Sequence, residues 1–382
     1  MSRRLVLVLA AAGAGQAAQY LARPMTSYRL LALGAGPREV GYVAATFAVV
    51  PVFLAIPLGR FADRRRSETL LVFGSVLLAV ACAALAFGAS VWALAAASIV
   101  LGVGHLSLML GVQNAIAAES DEGQHDARFG VFTAVVSAGQ LVGPLLGGAI
   151  LSGGAALRPA TTVALLAAGG LGAVGVVCAL RASLLRSAIV DVPEPVLRGT
   201  IRRMMGTRGV PAGIFASVAV LSCVDVFTAY LPVLGQRTGI APGVVGALLA
   251  LRAAASIASR LGITSIVLRV GRNRLITSSA VVAALAVVGV TMTRDLVVIA
   301  LLIAIAGFML GFGQPLTMTM VVQLVPENAR ATALGLRLTG NRIGQAATPA
   351  AAGVVAGAAG VSSVFWLLGG ILVASAVAVA RT

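Results

Sequence analysis

The chain has 382 residues, 59% hydrophobic and only 10% charged, with a mean hydropathy of +1.02. That composition excludes a water-soluble globular domain; at roughly 20 apolar residues per membrane crossing it holds about twelve helices and no separate catalytic domain. All 28 basic residues are arginine, for a net charge of +16, and the lack of lysine removes phosphate-binding Gly-Lys-Ser/Thr loops and Schiff-base chemistry.

Breaks at charged and Gly/Pro-rich positions predict apolar helices near 5–33, 40–60, 69–87, 91–117, 128–153 and 159–180. A polar linker over 181–208 follows, carrying Arg181, Arg186, Arg198, Arg202, Arg203 and Arg208 with Pro193 and Pro195. Six more helices are expected near 209–236, 242–268, 275–293, 296–323, 331–357 and 361–380. The opening Met1-Ser2-Arg3-Arg4 resembles a secretory leader, but the apolar pattern runs on to Leu33, so a first transmembrane helix is expected rather than a cleaved segment.

With a cytoplasmic N-terminus, 18 arginines fall on cytoplasmic segments and four, Arg38, Arg158, Arg237 and Arg294, on the opposite side. The positive-inside rule then predicts a multi-pass plasma-membrane protein with both termini cytoplasmic. Arginine without lysine suits a GC-rich bacterial genome, hence a bacterial inner membrane. The short arginine clusters read as topology signals and contacts for anionic membrane lipid, not as a nucleic-acid surface. Cys82, Cys178 and Cys223 are isolated, so neither a disulfide framework nor a metal site is expected, and no cofactor or obligate protein partner is implied.

A constant offset of 205 residues aligns the two halves. Gly34, Pro37, Val40 and Gly41 fall on Gly239, Pro242, Val245 and Gly246; Arg64 falls on Arg269; Gly130, Gly139, Gln140, Pro144 and Gly148 fall on Gly335, Gly344, Gln345, Pro349 and Gly353. A repeat of six helices returns to its starting side, so the copies are parallel and related by an axis along the membrane normal. The predicted organisation is an N-terminal six-helix bundle (1–180), a cytoplasmic linker (181–208) and a C-terminal six-helix bundle (209–382).

Two motifs carry a resemblance. Gly59-Arg60-Phe61-Ala62-Asp63-Arg64-Arg65-Arg66, after the second segment, resembles the Gly-x-x-x-Asp-Arg signature of the major facilitator superfamily. The second half keeps Arg269, Gly271, Arg272 and Arg274 but has Thr264 and Leu268 where the signature has Gly and Asp. In the fifth segment, Gly130, Gly139, Gly143, Pro144, Gly147 and Gly148 resemble the antiporter motif of the superfamily's drug:proton exchangers; that spacing arises by chance about once in a million starting positions. Small residues let helices touch, and proline bends the axis. The resemblance covers the whole chain and implies an all-α, twelve-helix fold of two pseudo-symmetric bundles, with a latch at the first motif and export directed by the second. The usual arginine of the fourth segment is replaced by Ser98, leaving His105 as the nearest titratable group, with Gln314 as its expected counterpart at an offset of 209.

Charges inside the membrane are costly and mark function. Asp225 is the one carboxylate near mid-depth, and the offset pairs it with Tyr20, one turn from Arg23. Arg252 and Arg342 also lie near mid-depth, whereas Arg29, Arg260 and Arg337 lie nearer the membrane faces, where snorkelling or binding the carbonyl ends of helices is as open a reading as a functional one. Gln16, Gln19, Tyr230, Asn341 and Gln345 supply uncharged polar edges. Six membrane-embedded arginines against one aspartate favour a substrate bearing carboxylate or phosphate. The expected function is secondary transport of a small organic solute by alternating access, proton-coupled through Asp225 or His105. A proton-independent organic-anion exchanger or importer and a non-transporting sensor or scaffold are the alternatives. No nucleophile, base or carboxylate pair points to an enzyme.

Overall fold

A computed structural model describes residues 1–61, 67–119, 125–185, 205–326 and 330–382. The described residues form helices α1 (Arg3–Ala32), α2 (Pro37–Phe61), α3 (Ser67–Phe87), α4 (Val91–Glu119), α5 (His125–Leu151) and α6 (Leu157–Leu184) in the first half. In the second half come α7 (Val210–Thr238), α8 (Pro242–Leu261), α9 (Ile263–Val270), α10 (Arg272–Gly289), α11 (Leu296–Gln323), α12 (Arg330–Ala359) and α13 (Val361–Ala380). The expected eighth segment is broken at Gly262 into α8 and the short α9, so α10 to α13 are the ninth to twelfth segments. Asp63 and Arg64, and most of the expected linker, lie outside the described residues.

Ten of these helices are long and apolar enough to cross a membrane. The other two long ones are too polar: α10 opens on Arg272-Asn273-Arg274, and α12 carries Arg330, Arg337, Asn341, Arg342 and Gln345. Helix ends follow local chemistry. Ser2 caps α1 by accepting from Leu5 N (3.0 Å), Asp295 caps α11 by accepting from Val297 N and Val298 N (2.8 and 3.1 Å), and Gly239 ends α7 with φ +77°. Hydroxyls such as Ser75, Ser107, Thr228 and Thr317 bond carbonyls one turn back, so they add no unsatisfied group to the apolar interior.

The halves pack alike. In the first, α1 lies against α5 and α6, and α3 against α4 and α6; in the second, α7 lies against α11, α12 and α13, and α10 against α11 and α13. Between them, α2 packs on α12 and α5 on α8, with α1 against α7 in the middle. Contacts repeat at the offset of 205. The Gly102 backbone rests on the Phe47 carbonyl, and Gly307 rests on the Arg252 carbonyl; Gly139 packs on Gly13 and Ala17, and Gly344 on Val218 and Ser222. Because α4 and α11 keep the same offset, His105 corresponds to Leu310. Gln314, expected to be its counterpart, sits one turn further along.

The two ends of the molecule differ. At the end opposite the chain termini, Gly41 touches Gly353 and Gly148 touches Gly246, and Tyr230 Oη donates to the Pro37 carbonyl (2.8 Å). Toward the termini, Gly59, Gly130 and Gly335 face open space. There Arg4 holds Glu68 (2.8 Å) and Glu119, tying α1 to α3 and α4.

Candidate functional site

Where α1 and α7 meet, Arg23 donates to Asp225 Oδ1 in a buried ion pair between the two halves. Gln345 Nε2 of α12 donates to Asp225 Oδ2 (2.6 Å), and Arg342 Nη1 donates to Gln345 Oε1 (3.1 Å). Both carboxylate oxygens are therefore engaged, and one relay runs Arg23–Asp225–Gln345–Arg342 through α1, α7 and α12. The Arg23 guanidinium lies 4.9 Å from the centroid of Phe47 on α2, a cation–π contact worth more where water is excluded. A cavity of about 20 Å³, room for one water, lies beside Arg23 between α1, α2, α4 and α7.

Helix periodicity explains the α1 contribution: Gln16, Tyr20 and Arg23 recur at spacings of four and three and share one face. His105 of α4 donates from Nε2 to Gln16 Oε1 (3.1 Å), and its ring lies 6.0 Å from that of Phe47. Tyr20 shares its electrostatic surroundings with Asp225, Arg252, Arg23 and Arg260. Gln19 is buried near this face with its Oε1 unpartnered.

Other expected site residues stand apart. Gln314 donates to the Ser217 carbonyl (2.9 Å) and accepts from Arg337 (2.7 Å), and Asn341 accepts from Ser217 Oγ (2.9 Å). Ser217 is two turns from Asp225, so these residues make a second polar cluster within the C-terminal half. Tyr230 lies toward the far end, against α2. Arg29 bonds the carbonyls of Ala86, Gly88 and Arg158, the helix-end role expected of it.

Two participants were not legible. Phe47 is an ordinary apolar residue in sequence, and only its offset to Arg252 sets it apart. Arg260, placed near a membrane face by counting, reaches Ser137 Oγ on α5 (3.0 Å) and the surroundings of Tyr20 and Arg252.

The motif glycines divide their work. A Cβ on Gly139 would lie 2.9 Å from the Gly13 carbonyl, one on Gly143 2.7 Å from the Ala17 carbonyl, and one on Gly147 2.8 Å from Leu21; these three seat α5 on α1. Gly148 and the Pro144 carbonyl meet Gly246 of α8 in the other half. Of the first motif's second copy, Arg269 is exposed, Gly271 caps α10, and Arg272 bonds Gln323 of α11 within its own half.

Among proteins of known sequence, methyl viologen resistance protein SmvA of Salmonella typhimurium is 30% identical over 122 residues, 32% of this chain and 25% of SmvA. MFS-type transporter ppzB of Metarhizium majus is 28% identical over 179 residues, 44% of this chain and 39% of ppzB. The chain thus matches only about a quarter to two fifths of these relatives' length. Among solved structures, a point mutant of nucleoside transporter NupG superposes with a TM-score of 0.80 over 99% of this chain and 98% of NupG, at 16% identity. An inward-facing, unoccupied bacterial homologue of the human lysosomal transporter Spinster gives 0.70 over 100% and 96%, at 15% identity. A POT family transporter with 5-aminolevulinic acid gives 0.76 over 99% and 95%, at 15% identity. The family model of the Major Facilitator Superfamily matches residues 5–296 and 212–382. Two parallel bundles repeated at one offset, closed around a charged seam between α1 and α7 and matched by that model along nearly the whole chain, make this protein a member of the Major Facilitator Superfamily of membrane transporters.

Proposed function

We propose that this protein is a proton-coupled secondary transporter of a small organic solute, working by alternating access between bundles 1–180 and 209–382 joined by a cytoplasmic linker. The observation that carries this reading is the buried Arg23–Asp225 pair, which lies on the seam between the halves and continues through Gln345 to Arg342. A proton on Asp225 cancels its charge, weakens the hold of Arg23, and lowers the cost of parting α1 from α7. Around Asp225 stand Arg23 and Tyr20 from α1, Gln345 and Arg342 from α12 and Arg252 from α8, so it is the acid at the centre of a cationic site. His105, bonded to Gln16 and packed on Phe47, is the weaker candidate for the proton.

With both termini cytoplasmic in a bacterial inner membrane, glycine contacts at the far end and open glycines toward the termini correspond to an inward-facing state. Export is the favoured direction, from the fifth-segment motif and the likeness to SmvA, named for resistance to methyl viologen. Methyl viologen is a dication, and a site with this arginine excess opposes such cargo. In proteoliposomes with an imposed pH gradient, wild type should accumulate solute and Asp225→Asn should only equilibrate it; undiminished accumulation by Asp225→Asn would remove the proton role. The arginine excess also favours a second reading, proton-independent anion exchange, in which a solute gradient drives the same flux with pH clamped on both sides.

A further inference from the structure

Of the six arginines that the sequence places at membrane depth, five are engaged among the described residues. Arg23 pairs with Asp225, Arg29 bonds three carbonyls and Thr162, Arg260 bonds Ser137, Arg337 bonds Gln314, and Arg342 bonds Gln345. Arg252 forms neither a hydrogen bond nor an ion pair among the described residues, although it is only 3% exposed. Its Nε is enclosed without a partner.

Pseudo-symmetry sets the Arg252 backbone where Phe47 stands in the other half. Arg252 is the offset equivalent of Phe47, and each sets its carbonyl against a glycine of the matching helix, Gly307 and Gly102. Phe47 directs its ring to the centre, under Arg23 and beside His105. Arg252 therefore enters the same central space from the opposite half, in the surroundings of Tyr20, Asp225 and Arg23. Asp225 attracts Arg252 through space but forms no salt bridge with it; its two oxygens take Arg23 and Gln345.

A buried cation with no salt bridge of its own carries a desolvation cost that an anion docking on it would recover. The guanidinium fork matches the two oxygens of a carboxylate or phosphate. We propose that Arg252 is the substrate-binding cation of this transporter: the solute is an organic oxyanion, a carboxylate or phosphate ester, that docks on the Arg252 guanidinium beside Tyr20. This rests on the central network being the transport site. It divides the labour within that site, with Asp225 and Arg23 sensing the proton and Arg252 holding the cargo.

The test is the thermal stability of detergent-purified protein in sodium benzoate, citrate, glycerol phosphate and inorganic phosphate, each against sodium chloride at matched ionic strength. At least one of these probes should raise Tm with saturable concentration dependence. The rise should vanish in Arg252→Met and persist in Arg237→Gln at the surface. In chloride, Arg252→Met should melt no lower than wild type, because the change removes an unpaired buried charge rather than a structural bond. The proposal is overturned if no probe exceeds chloride, if the rise survives in Arg252→Met, or if Arg252→Met melts well below wild type in chloride. Binding is read here without any gradient. A protein that shows the Arg252-dependent rise yet moves no solute into vesicles would sink the transport reading and leave the oxyanion site standing.

Discussion

Gly41 of α2 meets Gly353 of α12 so closely that a Cβ on Gly41 would lie 2.6 Å from the Gly353 amide nitrogen. The same contact recurs 205 residues away, where a Cβ on Gly246 would lie 2.6 Å from the Gly148 Cα. The two pairs bring the halves together at the end opposite the termini, one on each side of the pseudo-twofold axis. Overpacking costs about 1–3 kcal/mol, and each 1.4 kcal/mol shifts a two-state equilibrium about tenfold. Gly246→Val should therefore push the protein toward the state open at this end. Spin labels on Ala35→Cys and Ala241→Cys should then show a longer distance population at the expense of the shorter one; an unchanged distribution would remove these glycines as a gate.

Tyr230 adds the polar part of the same closure through its bond to the Pro37 carbonyl. Tyr230→Phe should weaken it by about 1 kcal/mol, the net worth of one hydrogen bond, with little loss of packing. The same label pair should move in the direction of Gly246→Val but by less.

Glycines within each half should behave in matched pairs. Gly102→Ala and Gly307→Ala each force a methyl onto a backbone carbonyl, of Phe47 and Arg252 respectively, and should each destabilise the protein by about 1–3 kcal/mol. Gly59→Ala and Gly335→Ala meet open space and should leave Tm within error of wild type, or raise it slightly through better helix propensity. Thermal denaturation of the four variants checks both halves of this expectation.

Much of this architecture was legible because punctuation survives in an otherwise aliphatic chain: Gly, Pro, Gln and Arg at constant spacing announced the repeat and placed Tyr20 opposite Asp225. Depth counting and the offset set Asp225 opposite Tyr20, one turn from Arg23, and facilitator packing of the first and seventh helices left the two to pair or to bracket a ligand. The break at Gly262 was hidden, because an apolar run reads the same whether or not one glycine interrupts it. Gln314 and Asn341 were misplaced because depth along a helix says nothing about rotation around it, and both turn toward Ser217. The reach of Arg260 toward the centre was missed because a long side chain attains a level its Cα does not.

The central pair should show the signature of a buried ion pair rather than a surface one. Arg23→Gln alone strands a carboxylate and should cost about 3–5 kcal/mol. Adding Asp225→Asn to that variant should recover most of the loss, since two neutral amides can bond each other and Gln345. Chemical denaturation of the wild type, both single variants and the double variant gives the coupling energy. Simple additivity would show that Arg23 and Asp225 do not act on each other.

The most direct test of the account asks whether Asp225 converts protonation into movement. With spin labels on Ala35→Cys and Ala241→Cys, the inter-half distance is measured by pulsed electron resonance in alkaline and in acidic buffer. The wild type and His105→Gln should redistribute between short and long distances as the buffer is acidified. Asp225→Asn should hold one distribution in both. If Asp225→Asn responds to acid as the wild type does, the proton acts elsewhere and the Arg23–Asp225 pair is a structural tie.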